Sequence, residues 1–157
     1  MSNYTMIIVI TVIALFFTFL HMRRTNGVED SIRLGVDFLA DNIQKEGVES
    51  TESGLQYKVL EKGTGDKHPT ATSKVEVHYH GTLIDGTVFD SSVERGKSLS
   101  FPLNRVISGW IEGVQLMVEG DKFRFYIPSE LAYGRRKLGK IKAGSVLIFE
   151  IELIAIK

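Results

Sequence analysis

The 157-residue chain contains no cysteine, which removes thiol catalysis, structural disulfides and thiolate metal sites together. That absence is compatible with either side of a membrane. Charge of one sign is not in excess, with 19 basic against 19 acidic residues, so nothing overall asks for nucleic acid or another polyanion. Proline is scarce at three residues, tryptophan occurs once, and fifteen glycines fit a domain with many turns. Repeats and low-complexity tracts are also missing, which excludes solenoids and disordered linkers as the main architecture. The length leaves room for one domain of ordinary size and an appendage.

What is present begins with an uncharged run at residues 6–20, MIIVITVIALFFTFL, extended by Tyr4 and Thr5 to about the minimum for a bilayer span. A cleaved signal peptide needs a basic leader and a small-residue cleavage site, and neither is there. A buried core helix would show a polar face, whereas this run has only threonines. The pattern predicts a single-pass anchor over residues 1–24, with Tyr4 at the interface. Arg23 and Arg24 follow the span, so the positive-inside tendency favours a cytoplasmic carboxy-terminal domain.

Over residues 25–52 a linker helix is expected. Val28, Ile32, Val36, Leu39 and Ile43 recur at steps of three and four, one apolar stripe that ends at Gly47. Such a stripe serves to dock the helix on its own domain, to lie near headgroups, or to form a dimer seam.

From residue 53 to 157 the pattern is that of a domain with five strands and one short central helix, an antiparallel α+β arrangement. Its centre is VEVHYHGTLIDGTVFDSS, residues 75–92. Val75, Val77 and Tyr79 alternate with Glu76, His78 and His80, Asp85-Gly86 makes a hairpin turn, and the chain returns through Phe89 to Asp90. Further strands are expected over 55–60, 98–102, 123–127 and 145–156, with 106–117 as the helix. Gly109 and Gly113 make that helix a poor one in isolation, so it needs tertiary packing.

Candidate chemistry is thin. His78 and His80 share a strand face, but a metal site needs three or four convergent donors. No serine sits in a nucleophile elbow, and Gly63-Thr64-Gly65 lacks the strand–helix context of a phosphate loop. Arg135, Arg136, Lys137, Lys140 and Lys142 form a basic loop, a solvated surface or a secondary contact for phosphate headgroups or acidic clients. What remains is Tyr79, Phe89, Trp110, Tyr133 and Phe149 with Asp90 among them. These form either an ordinary aromatic core or the lining of a concave apolar site.

The segments SGLQYKVL, VEVHYHGTLIDGTVFDSS, VISGWIEGVQLM, IPSELAYG and VLIFEIELI, in this order over residues 53–157, resemble an FK506-binding-protein (FKBP)-type peptidyl-prolyl isomerase domain. The bacterial Mip and FkpA-like branch is the most similar, and FLADNIQKEGV resembles the helix preceding the domain there. The longer amino-terminal dimerisation region of that branch is expected to be absent, with the membrane segment in its place, which leaves the oligomeric state open.

The resemblance implies an antiparallel sheet half-wrapped around the short helix. It implies a pocket with Trp110 as floor, Tyr79, Phe89, Val106, Ile107, Tyr133, Ile141 and Phe149 as walls, and Asp90 at the rim, held by Arg95. The Ile107 N–H and the Tyr133 hydroxyl would bind substrate carbonyls. Leu99 stands where many members carry an aromatic, so that wall is expected to be thinner, and Lys142-Ala143 replaces the usual proline-containing pair. The implied activity is cis–trans isomerisation of Xaa-Pro bonds in folding protein clients, without a cofactor or metal and inhibited by macrolides of the FK506 and rapamycin type. A tethered chaperone or proline-peptide-binding module with incidental turnover is the alternative. The related branch is mostly periplasmic or surface-exposed, so the resemblance implies a periplasmic domain, against the cytoplasmic lean of the arginines.

Overall fold

The computed structural model describes the backbone of residues 3–157, and the side chains of that stretch except those at 3–9, 21 and 23–26. The chain opens with one long helix, α1 (Asn3–Asn42), and continues as β1 (Val48–Ser50), β2 (Gln56–Glu61), β3 (Lys74–Leu83), β4 (Val88–Ser91) and β5 (Leu99–Pro102). A 3-10 turn (Leu103–Arg105) leads into α2 (Ser108–Val114), followed by β6 (Lys122–Ile127), a second 3-10 turn (Ser129–Leu131) and β7 (Leu147–Ile156).

All strand pairings are antiparallel, in the order β1-β2-β6-β7-β3-β4, with β5 also paired to β3. The sheet thus has seven strands where five were expected. Three-residue β1 and four-residue β4 are too short to show a period of two.

The alternation that marks β3 and β7 is real. Val75, Val77 and Tyr79 of β3 and Leu147, Phe149, Ile151 and Leu153 of β7 are buried on one face. On that face lies α2, whose Trp110 and Val114 join Met117 in the core. Each such side chain contributes about 1.5–3 kcal/mol on burial. The two glycines that weaken α2 also explain its position. A Cβ at Gly109 would meet Ile127 Cγ2 at 2.4 Å, and one at Gly113 would meet Phe125 Cε1 at 2.7 Å. The helix backbone therefore lies directly on β6, and packing supplies what propensity does not.

The opposite face of β2 and β6 is covered by the carboxy-terminal half of α1, which is the docked-helix alternative. The stripe differs from the one expected. Val36 is 60% exposed, and the contact line runs through Ile32, Gly35, Leu39 and Asn42. Its centre is the missing side chain at Gly35, where a Cβ would stand 2.7 Å from Val146 Cγ2. Asn42 donates to Gln56 Oε1 at 2.9 Å, Gln56 Nε2 donates to the Leu39 carbonyl at 2.8 Å, and Phe38 packs on Tyr126 at 6.1 Å. Gln56 and Tyr126 are consequently buried although they fall on the polar side of their strands' alternation. The helix stops at Asn42, ahead of Gly47, which has φ 75° in the turn beyond.

The expected membrane anchor is not found in this form. Among the described residues no helix is long and apolar enough to cross a membrane. Tyr4, residues 6–9 of the apolar run, and the flanking Arg23 and Arg24 on which the orientation rested fall outside the described side chains.

Candidate active site

The hairpin between β3 and β4 builds the first wall. Gly86, at φ 84°, occupies the position in the turn that a side chain would strain, and the Asp85 carboxylate accepts from the Thr87 N–H at 2.9 Å. Beyond the turn the pairing slips. Gly81 faces Asp90 and Thr82 faces Val88, so Phe89 is an extra residue in β4. On a regular strand Phe89 and Asp90 would point to opposite faces. The bulge re-aims the ring, and both residues reach the same cleft.

That cleft has a volume of about 790 Å³. It brings together Tyr79, Phe89, Asp90, Leu99, Val106, Ile107, Trp110, Tyr133, Ile141 and Phe149, each of them a site residue expected from the sequence. Trp110 is 6% exposed and forms the base. Its ring meets Phe149 edge-on at 5.1 Å and Tyr79 at 5.3 Å between centroids, and Phe89 meets Phe149 at 5.3 Å. Phe149 is the hub of these edge-to-face contacts, the geometry that aromatic quadrupoles favour. Gly81 makes room for it, since a Cβ there would lie 2.7 Å from Phe89 Cζ and 2.8 Å from Phe149 Cε1.

Arg95 stands outside the lining and acts on it. Its guanidinium forms an ion pair with Asp90 and donates to the Tyr79 hydroxyl at 2.9 Å, and that hydroxyl donates to Asp90 Oδ2 at 2.6 Å. Partial burial works to raise the Asp90 carboxyl. The Tyr79 and Arg95 hydrogen bonds and the Arg95 charge outweigh it, and the group is held below its ordinary range. Burial, with the bond to Asp90, pushes the Tyr79 hydroxyl up. The triangle therefore keeps Asp90 ionised and Tyr79 protonated.

His78 and His80 lie on the other face of β3 from the cleft. Their Nδ1 atoms stand 3.0 Å from Ser92 Oγ and 2.9 Å from Ser91 Oγ. The Ser92 hydroxyl also accepts from the Tyr79 N–H at 2.8 Å, tying β3 to the loop after β4. Gly63 packs backbone-to-backbone against the turn at Glu119–Asp121, and its N–H donates to Asp121 Oδ1 at 2.7 Å.

The family model for FKBP-type peptidyl-prolyl cis-trans isomerase matches residues 65–154, and the model for the domain amino-terminal to it matches residues 11–59. The chain belongs to the FKBP-type peptidyl-prolyl cis-trans isomerase family. It is 61% identical over 123 residues to the FKBP-type isomerase FkpA of Aeromonas hydrophila, covering 78% of this chain and 46% of that protein. With the outer membrane protein MIP of Legionella longbeachae it shares 45% over 130 residues, 82% of this chain and 55% of that protein. The crystal structure of FkpA from Escherichia coli superimposes with a TM-score of 0.87 at 34% identity, over 100% of this chain and 74% of that one. The chain spans about half the length of the curated relatives it matches. The match to the amino-terminal family domain begins at residue 11, inside the run read from sequence as a membrane segment.

Three parts of this FKBP-type cleft escaped the sequence reading. Phe101, two residues beyond Leu99, also lines the cleft and packs on Trp110 at 5.6 Å, so the wall at Leu99 keeps an aromatic. The signal was there, because positions two apart on a strand share a face. Arg105 and Ser108 flank the two residues that were identified, Val106 and Ile107. Arg136, Leu138, Gly139 and Lys140 bring the basic loop into the lining, where a small bridge between Leu138 and Ile141 shapes it.

Proposed function

We propose that this chain accelerates rotation about Xaa-Pro bonds in protein clients, with the aromatic cleft as its active site. The uncatalysed barrier is ~18–20 kcal/mol, and reaching milliseconds asks for about 5.5–7 kcal/mol of help. No bond breaks, so no nucleophile or proton shuttle is required. The planar amide carries resonance charge on its oxygen and loses it on twisting. A dry aromatic site therefore disfavours the planar form more than the twisted one.

In this reading the proline ring sits on Trp110 and the preceding carbonyl faces the ring edges of Tyr79, Phe89 and Phe149. The Ile107 N–H and the Tyr133 hydroxyl, neither of which has a partner among the described residues, are the donors for substrate carbonyls. Asp90, immobilised by Tyr79 and Arg95, supports the twisted carbonyl electrostatically. The observation that carries the reading is that fixed carboxylate at the edge of an open, ring-lined cleft.

The test is a coupled-protease assay on a Leu-Pro peptide, with and without an FK506-type macrolide. Turnover abolished by the macrolide supports the enzyme. Client binding without turnover, insensitive to the macrolide, would favour a chaperone module instead.

A pH dependence follows from the same triangle. Asp90 is depressed, so its charged form is present above the ordinary carboxylate range and lost only as pH falls through a value below it. Tyr79 is raised, so its hydroxyl is kept until pH rises beyond the ordinary phenol range. kcat/KM should be flat from about pH 5 to about pH 9. A bell centred near neutrality would contradict both assignments.

The organisation proposed alongside is an anchor at residues 1–24, a linker over 25–52 and the isomerase domain from 53 to 157. Apolar side chains of α1 between Ile10 and Leu20 are 46–65% exposed and ask for a cover. The Legionella relative is an outer membrane protein by name, which supports a membrane as that cover. The resemblance favours a periplasmic isomerase domain, and a reporter fused at the carboxy terminus tests the side.

A further inference from the structure

Apart from Asp90, the charged side chains lining the cleft are all cationic. Asp90 is committed to Arg95, which leaves Arg105, Arg136 and Lys140 as the other ionic side chains of the lining. All three are exposed, and among the described residues none forms an ion pair. Lys140 donates to the Val88 carbonyl at 3.1 Å, which holds its ammonium beside the strand that carries Phe89. The guanidinium groups of Arg105 and Arg136 have no acceptor among the described residues.

These cations come from two separate segments. Arg105 ends the turn that leads into Val106 and Ile107, whereas Arg136 and Lys140 belong to the loop between Tyr133 and Ile141. A peptide entering the cleft thus meets unneutralised positive charge from both. The remaining members of the basic loop do not contribute to the lining. Arg135 is paired with Glu29 of α1, and Lys137 and Lys142 lie outside the cleft.

We infer that the cleft selects Xaa-Pro bonds with an aspartate or glutamate within a residue or two of the proline. The inference rests on the isomerase reading and names its substrate class. The field of three like charges around an apolar depression steers and retains an anionic flank. Because the three are exposed, each contact is modest and salt-sensitive.

The full chain is assayed with three peptides identical except for Glu, Gln or Lys immediately before a Leu-Pro pair. Turnover gives kcat/KM, and quenching of Trp110, the single tryptophan, gives binding independently. The Glu peptide should be favoured over the Lys peptide by about three- to tenfold at low salt. That preference should shrink to about twofold or less near 0.5 M salt. R105Q/R136Q/K140Q should level the three peptides, and K137Q should leave their ranking intact. Equal handling of the three peptides, or a preference that survives in the triple variant, overturns the inference. Charge-ranked binding without turnover sustains it and sinks the catalytic reading; turnover without ranking does the reverse. Absence of both binding and turnover sinks the two together.

Discussion

Replacing Asp90 by alanine should lower kcat/KM for a Leu-Pro peptide by about 10- to 30-fold, with only a small change in melting temperature. The size follows from the site's exposure. Removing one preorganised electrostatic group from a dry site costs about 10²–10³ in rate, but the Asp90 side chain is 44% exposed and partly screened. The small stability effect has the same cause, since exposed ion pairs contribute about 0–1 kcal/mol.

Asp90→Asn separates two roles. It preserves shape and an acceptor for the Tyr79 hydroxyl while removing the charge. Loss equal to that of alanine assigns the effect to the carboxylate's charge, and recovery assigns it to the orientation of Tyr79. Wild-type kcat/KM in both variants, with folding confirmed by circular dichroism, would remove Asp90 from the mechanism. Arg95→Gln is the companion, because Arg95 touches the two cleft residues from outside the lining. It should cost less than the loss of Asp90 itself. Without the Arg95 charge the Asp90 carboxyl rises, so the flat region of the pH profile should narrow on its acid side, while the Tyr79 hydroxyl, which Arg95 holds down, should leave the alkaline limit no lower.

Much of this site was legible because its parts sit in long periodic segments. β3 and β7 are ten residues each, enough for alternation alone to mark Tyr79 and Phe149 as inward-facing. Asp90 beside Phe89 was visible as an acid next to a ring. How the two share a cleft was not, because a bulge is a pairing event between strands, and nothing in VFDS announces an extra residue.

Docking of α1 shows the same limit. A stripe of Val28, Ile32, Val36, Leu39 and Ile43 is a sound expectation if apolar side chains make the contact. The structure instead uses an absent side chain at Gly35 and a polar one at Asn42, so the true line is rotated away from Val36. The burial of Gln56 and Tyr126 follows from that docking and could not be read from their own strands. Placement of Arg105, Arg136 and Lys140 around one cleft is likewise a tertiary fact, since the first lies some thirty residues from the others in the chain.

Gly81→Val should be more damaging than any single change to a polar residue of the cleft. Gly81 pairs with Asp90 on one side and Phe149 on the other, and the edges of the Phe89 and Phe149 rings occupy the space above it. Even a lone Cβ would stand 2.7–2.8 Å from both rings, closer than van der Waals contact allows. Phe149 cannot retreat into the core, because it is packed edge-on against Trp110 and Tyr79. Relief is available towards the open cleft, the volume that the prolyl ring needs. Gly81→Ala should therefore cost about 1–3 kcal/mol of stability, as overpacking of a filled site does, and the valine more. The loss in kcat/KM should approach about 100-fold, the scale at which an ångström of misplacement is felt. Adding Phe89→Leu to Gly81→Ala removes one of the two clashing rings and should recover most of the stability while leaving activity low. That split, read from thermal unfolding alongside kcat/KM, distinguishes a displaced site from a merely weakened fold. A Gly81→Ala protein with wild-type activity and melting temperature would mean that the rings do not hold this packing in solution, and the geometry on which the catalytic reading stands would be wrong.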